Sequence, residues 1–234
     1  MGPRYALYFV PRQASRLAQF GARAIGYDIW SGDEVPLADI EAYRQRGRDL
    51  TSEPRRYGFH ATLKAPFHLR DGQPEHALEA HVSAFASARQ AFALGAVEVR
   101  VMSRFVALVP VAPPAALLRL AADCVTEFDP YRAMMSEADR ARRLEKGLTP
   151  RQLAHLEAWG YPHVFDEFRF HMTLTGPLEA EMASHLRAEL AALWANFKDD
   201  VAIDGLTLAV QPARNQPFRV KAHFPFKPPA ATRS

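Results

Sequence analysis

The chain has 234 residues, with 29 Lys and Arg against 26 Asp and Glu, so its net charge is only +3. That length can bury a full core, and 48% hydrophobic residues is the composition of an ordinary globular protein. No apolar run approaches the roughly 20 residues that a membrane helix needs, and one cysteine, Cys124, excludes an internal disulfide. The charge suits an anionic substrate without marking a nucleic-acid footprint.

The opening MGPRYALYFVP has too short an apolar stretch for a secretory signal, and Ala6 stands where myristoylation wants a hydroxyl. With the lone cysteine, this points to the cytoplasm. Cys124 lies in LLRLAADCV and reads as a buried small hydrophobe.

In chain order, the apolar run at 4–10 predicts a strand, and Leu17, Phe20 and Ala24 predict a helix over 12–25. Residues 28–54 are polar and predict loop with a short helix at 38–46. A strand at 57–64 follows, then a helix at 74–91 and a strand at 92–101. The second half begins with a strand at 104–111 and a helix at 114–127. Residues 129–163 carry two helical patterns. Ser136 and Asp139 start the first like a capping box, Gly147 stops it, and Thr149-Pro150 starts the second. A strand at 167–174, a helix at 178–196 and strands at 199–210 and 217–224 complete the order.

Residues 57–66, YGFHATLKAP, match residues 168–177, FRFHMTLTGP, in aromatic, Phe, His, Thr, Leu and Pro. From the residue frequencies, His-x-Thr-Leu is expected about 0.03 times in such a chain, so two copies are a repeat rather than coincidence. RYALYFVP at 4–11 and RFVALVPV at 104–111 extend the match upstream. The fold expected is α+β, with two β-α-β-α-β halves at about 4–101 and 104–226 related by internal duplication. Residues 1–234 then form one bilobal unit with a cleft between the halves. The motifs stand on its opposing walls, and the helical insertion at about 129–163 is a lid or wall beside it.

Residues two apart on a strand share a face. His60 and Thr62 therefore project together, as do His171 and Thr173, while Ala61 and Met172 face apolar packing. Opening a cyclic phosphodiester needs a base for the attacking oxygen and an acid for the leaving oxygen on opposite sides of phosphorus. Histidine suits both jobs because its ordinary pKa, about 6.5, lies near working pH. Such acid–base help is worth roughly 10²–10⁴ in rate. Two hydroxyls then hold the non-bridging oxygens. His60 and His171 are the candidate catalytic residues, and Thr62 and Thr173 the candidate phosphate ligands. Lys64, Arg56, Tyr131 and Arg132 are further candidates for substrate contact.

No cluster of metal-ligand spacing, P-loop, GxGxxG or GxSxG occurs in the sequence, so neither metal nor cofactor is expected. His81, His155, His185 and His223 have no motif around them. RQRGRD (44–49) and RARRLEK (140–146) read as solvated faces.

HATL and HMTL in two matching halves resemble the 2H phosphoesterase superfamily, which includes RNA 2′,3′-cyclic phosphodiesterases of the LigT type. The resemblance implies a bilobal fold of two ferredoxin-like halves, histidines at positions 60 and 171 acting as acid and base, and no metal. FDPYRA (128–133), LTPRQLAHLEAWGYP (148–162) and DEFRFHMTLTGPL (166–178) resemble a branch of phosphonate-metabolism proteins encoded beside carbon–phosphorus lyase components. That implies a small sugar cyclic phosphate, such as phosphoribosyl 1,2-cyclic phosphate, as the partner, with no membrane and no obligate protein partner. Processing of RNA 2′,3′-cyclic phosphate ends is the alternative activity, and a non-catalytic phosphate-binding module is the alternative of a different class.

Overall fold

The computed structural model describes residues 2–145, 147–197 and 200–229. Met1, Lys146 and Asp199, on which three of the sequence readings touch, lie outside the described residues.

The first strand, β1 (Arg4–Phe9), pairs antiparallel with two neighbours, β2 (Ala61–Phe67) and β8 (Gly205–Gln211). All seven residues of β8 are buried, which is the signature of a central strand covered on both faces. Its other edge carries β9 (Arg219–Pro225), which stays mostly half-exposed. On the far side of β2 come β6 (Met172–Thr173), β5 (Phe105–Pro110) and β4 (Val97–Met102). The result is one seven-stranded antiparallel sheet in the order β4-β5-β6-β2-β1-β8-β9. A separate ribbon joins β3 (Phe92–Gly95) to β7 (Val201–Ile203).

The helices are α1 (Arg16–Ile25), α2 (Glu41–Leu50), α3 (Ser52–Arg55), α4 (Glu75–Ser87), α5 (Ala115–Glu127), α6 (Glu137–Leu144), α7 (Pro150–Trp159) and α8 (Ala180–Ala195). Helix α4 packs on β8 and β9, α5 on β2, and α8 on β4 and β5. The elements of the two expected halves are thus interleaved. β4 pairs with β5 across the midpoint of the chain, and β8 returns to pair with β1. None of the described helices is long and apolar enough to cross a membrane.

The expectation of two motifs on opposing walls is corrected by the pairing of β2 with β6, which puts both motif strands side by side in one sheet. The long strands expected at 92–101 and 199–210 are each broken in two, at Ala96 and at Asp204, so that their first parts leave the main sheet for the ribbon. The second motif strand is only two residues long, because Phe168–His171 approach it as irregular backbone.

Register explains the core. Phe9 pairs with Ala61, Ala61 with Met172, and Met172 with Leu108, and all four are at most 2% exposed. This apolar row belongs to a single core that also takes in Leu117, Leu120 and Cys124 of α5 and Leu186 and Leu190 of α8. Cys124 is fully buried there, and burial pushes its thiol pKa up, as an inert core cysteine requires.

Candidate active site

One residue along each strand, the side chains point to the opposite face. Tyr8 pairs with Thr62 on one side and with Thr207 on the other, and Thr207 pairs with His223. Residues directly opposite in a pair share a face, so these form a polar row beside the apolar one. The Ala61–Met172 pair extends it: antiparallel register sets Thr62 opposite His171 and His60 opposite Thr173. The four motif residues therefore form a square, hydroxyls on one diagonal and imidazoles on the other. Diagonal neighbours in a sheet lie roughly 7–8 Å apart at the backbone, leaving the space between the rings for a phosphoryl group.

The two imidazoles are held the same way. His60 Nδ1 lies 2.8 Å from the Gly58 carbonyl and His171 Nδ1 lies 2.7 Å from the Arg169 carbonyl, each two residues upstream. A carbonyl can only accept, so each neutral ring carries its proton on Nδ1 and presents the Nε2 lone pair. In His60 that lone pair accepts from the Thr62 hydroxyl at 3.0 Å.

Two glycines make this placement work. Gly58 has φ +74, a left-handed conformation that turns its carbonyl back toward the His60 ring. A Cβ on Gly21 of α1 would fall 1.8 Å from the Phe59 ring, so only glycine lets α1 close on the residue before His60. Tyr8 stacks on His60, with ring centroids 3.7 Å apart, and Phe105 lies 5.7 Å from the His171 ring.

Burial drives the His60 pKa down to about 4. The Gly58 carbonyl works against that, and the nearby His171 adds a smaller push down. Burial lowers His171 too, opposed by the Arg169 carbonyl. The fully buried Tyr8 hydroxyl has no hydrogen-bond partner among the described residues, and burial raises its pKa well above the ordinary value.

The other sequence candidates stand elsewhere. The register of β1 against β2 shifts between Thr62 and Lys64, a bulge that reverses the side-chain alternation. Lys64 thus leaves the motif face and is buried against α5, donating to the Val125 carbonyl at 3.0 Å and pairing with Asp129 at 3.2 Å. Arg132 forks onto the same carboxylate, at 2.8 and 3.1 Å, and donates to the Ala158 carbonyl at the end of α7. Tyr131 donates to the Ala77 carbonyl of α4, and the exposed Arg56 donates to the Arg214 carbonyl. These contacts tie the four residues to the elements around them.

Other residues, not singled out in the sequence, pack beside His60 or along the same sheet face. Tyr57 lies 6.4 Å from His60 and stacks on Phe218 at 5.6 Å. Arg4, on the same face of β1 as Tyr8, sits over Phe218 at 5.5 Å. Arg143 of α6 sits over the Tyr161 ring at 5.3 Å. His223, read as unremarkable, ends the polar row with a 2.9 Å bond to Thr207. Tyr57 and Tyr8 fall on strands expected from the sequence, but only tertiary contacts bring them to His60.

A possible metal-ligand group among the described residues is Glu41, His185 and Glu189. Both Glu189 oxygens already accept from the backbone at the start of α2, at 3.0 and 3.1 Å.

The family described as "Protein of unknown function (DUF1045)" matches residues 62–219. The chain is 40% identical over 229 residues to a protein named ribose 1,5-bisphosphate phosphokinase PhnN from Janthinobacterium sp. (strain Marseille), covering 95% of this chain and 51% of that protein. It is 33% identical over 220 residues to a protein of the same name from Laribacter hongkongensis (strain HLHK9), covering 93% of this chain and 50% of that one. The chain spans about half the length of these curated relatives. A crystal structure of E. coli LigT complexed with 3'-AMP is 15% identical, covers 97% of this chain and 99% of its own, and has a TM-score of 0.47. The match over residues 62–219, which takes in Thr62 and the whole of the second motif, shows that the chain belongs to the DUF1045 family.

Proposed function

We propose that this chain is a two-histidine phosphoesterase that opens the cyclic phosphate of a small sugar without a metal. The observation that carries the reading is the Ala61–Met172 register, which sets His60 and His171 on one diagonal, each with Nδ1 tied to a carbonyl two residues upstream. His60, the more strongly neutral ring, takes a proton from water as the water oxygen attacks phosphorus. The ring P–O bond breaks on the opposite side, and protonated His171 gives its proton to the departing sugar oxygen. The product is a phosphomonoester, and solvent restores both rings. An anionic phosphate beside His171 favours the protonated ring this step requires. Thr62, which now donates to His60, turns its hydroxyl to a phosphate oxygen and frees Nε2; Thr173 does the same from the other diagonal corner.

The sugar class is supported by the curated relatives, whose printed name places them on a phosphorylated ribose. On this reading the chain is a single duplicated unit whose two motif strands meet at the centre of the sheet, and the helices of 129–163 wall its site.

The test is turnover by chelator-treated protein against a panel of ribose 1,2-cyclic phosphates, simple cyclic alkyl phosphates and nucleoside 2′,3′-cyclic phosphates. Cleavage of the sugar substrates is expected. Preference for the 2′,3′-cyclic nucleotides would move the protein to RNA-end processing, and binding without turnover would make it a phosphate-binding module.

A further inference from the structure

Both motif rings are tied to a carbonyl two residues upstream, but different devices aim the two carbonyls. Before the first motif, Gly58 takes φ +74 and turns its own carbonyl to His60. Arg169, before the second, lacks that freedom. The turn there lies further upstream, at Phe165, a non-glycine residue with φ +54 that opens the 3-10 turn Phe165–Glu167. A bulky residue persists in that region only where its surroundings impose it.

Helix α7 supplies those surroundings. Arg151, His155 and Trp159 stand four residues apart along it and so share a face. Arg151 is paired with one oxygen of Asp166, and His155 Nε2 lies 3.6 Å from the other. The rings of His155 and Trp159 meet Phe165 edge-on, at 5.7 and 5.3 Å, and Gln152 donates to Glu167 at 3.0 Å. His155 keeps its place although its buried Nδ1 finds no partner among the described residues, a cost that an apolar ring against Phe165 would not carry. From this turn the bonding runs on to the motif. The Arg169 guanidinium donates to the Asp166 and Phe168 carbonyls, both at 2.7 Å, and the Arg169 carbonyl meets His171 Nδ1 at 2.7 Å. Helix α7 is itself fixed at both ends, by the Thr149 capping box and by Arg132 donating to the Ala158 carbonyl at 3.1 Å.

We propose that α7 is a positioning element for His171: its hold on Asp166 keeps the Arg169 carbonyl aimed at Nδ1, which fixes a proton there and leaves Nε2 for the substrate. A neutral imidazole released from that carbonyl carries its proton on either nitrogen and is free to rotate. Asp166, Arg151 and His155 are positioning residues, acting on the ring through the backbone of 165–169. That Nε2 then serves a leaving oxygen rests on the proposed phosphoesterase reading; the hold on the ring does not.

Imidazole nitrogen NMR shifts, recorded above the ordinary histidine pKa so that both rings are neutral, test this in the unaltered protein and in Asp166→Ala. The signals are assigned by their loss in His60→Ala and His171→Ala. In the unaltered protein His171 is expected to carry its proton on Nδ1. In Asp166→Ala it should move toward a mixture of tautomers while His60, held by Gly58, stays as it was. On the cyclic phosphate that the unaltered protein cleaves best, kcat should fall about 10-fold to 100-fold with KM nearly unchanged, as for a reacting group misplaced by about 1 Å. Asp166→Asn keeps the shape and one acceptor oxygen, so it should change both readings less. Unmoved His171 signals in Asp166→Ala would overturn the inference, and so would equal movement of both rings, which marks general loosening. Should Asp166→Ala fail to fold, Arg151→Ala removes the same pairing from a side chain that is 66% exposed, and an unmoved His171 there counts against the proposal. A selective change at His171 in a protein that turns over no cyclic phosphate would leave the clamp standing and remove the phosphoesterase reading alone.

Discussion

Ala61 and Met172 face each other across the junction of β2 and β6, and their pairing sets His60 and His171 on one diagonal of the sheet. A shift of one residue at that junction would turn one motif to the helix-covered face. The proposed chemistry therefore depends on a register that is held by packing of two small stretches against Phe9 and Leu108, not by long strand pairing.

If the two rings act as base and acid, His60→Ala and His171→Ala should each remove most of the turnover. The double variant should be little worse than either, because groups acting as a unit are non-additive. Thr62→Val and Thr173→Val keep the shape and should cost about 10-fold to 1,000-fold through loss of a hydroxyl to charged phosphate. Near-normal kcat in either single histidine variant would end the two-histidine mechanism.

The pH profile should be bell-shaped with an acidic optimum. His60 becomes neutral as pH rises through about 4, which gives the ascending limb of kcat/KM. His171 loses its proton below the ordinary 6.5, which gives the descending limb. The optimum is therefore expected between about pH 4 and 6.5, and a profile still rising at pH 8 would contradict the assignment. Folding stability should follow the same groups. The unfolded chain protonates His60 near 6.5 while the folded one does so near 4, so stability falls as pH drops through that window.

Tyr8→Phe should leave turnover intact and raise the melting temperature, since it deletes a buried hydroxyl with no partner and keeps the ring on His60. Tyr8→Leu should instead open that face to water and move the His60 pKa back toward its ordinary value. The imidazole proton shifts followed by NMR across pH read this directly. An unmoved His60 titration in Tyr8→Leu would show that the stack does not desolvate the ring.

Lys64→Ala should act on stability alone. It leaves Asp129 half-buried with Arg132 as its remaining cation, and breaking a buried pair costs roughly 3 kcal/mol. Chemical denaturation should show that loss with kcat unchanged. A selective fall in kcat with stability preserved would return Lys64 to the site.

Sequence by itself determined the local facts here. The spacing of His60 with Thr62 and of His171 with Thr173, repeated in matching contexts, named the four residues, because strand alternation needs no tertiary information to put them on one face. It also marked the starts of α6 and α7, since Ser136 and Thr149 bond their own first turns. The tertiary structure decided which strands pair, and hence that the motifs lie side by side. It decided the bulge that sends Lys64 to the helix face, which no residue of ATLKAP signals in advance. It alone laid Tyr8 on the His60 ring and set Tyr57 beside it. Alternation and capping are short-range and leave a pattern in the residues. Register and bulges are settled by what the rest of the core can pack and desolvate.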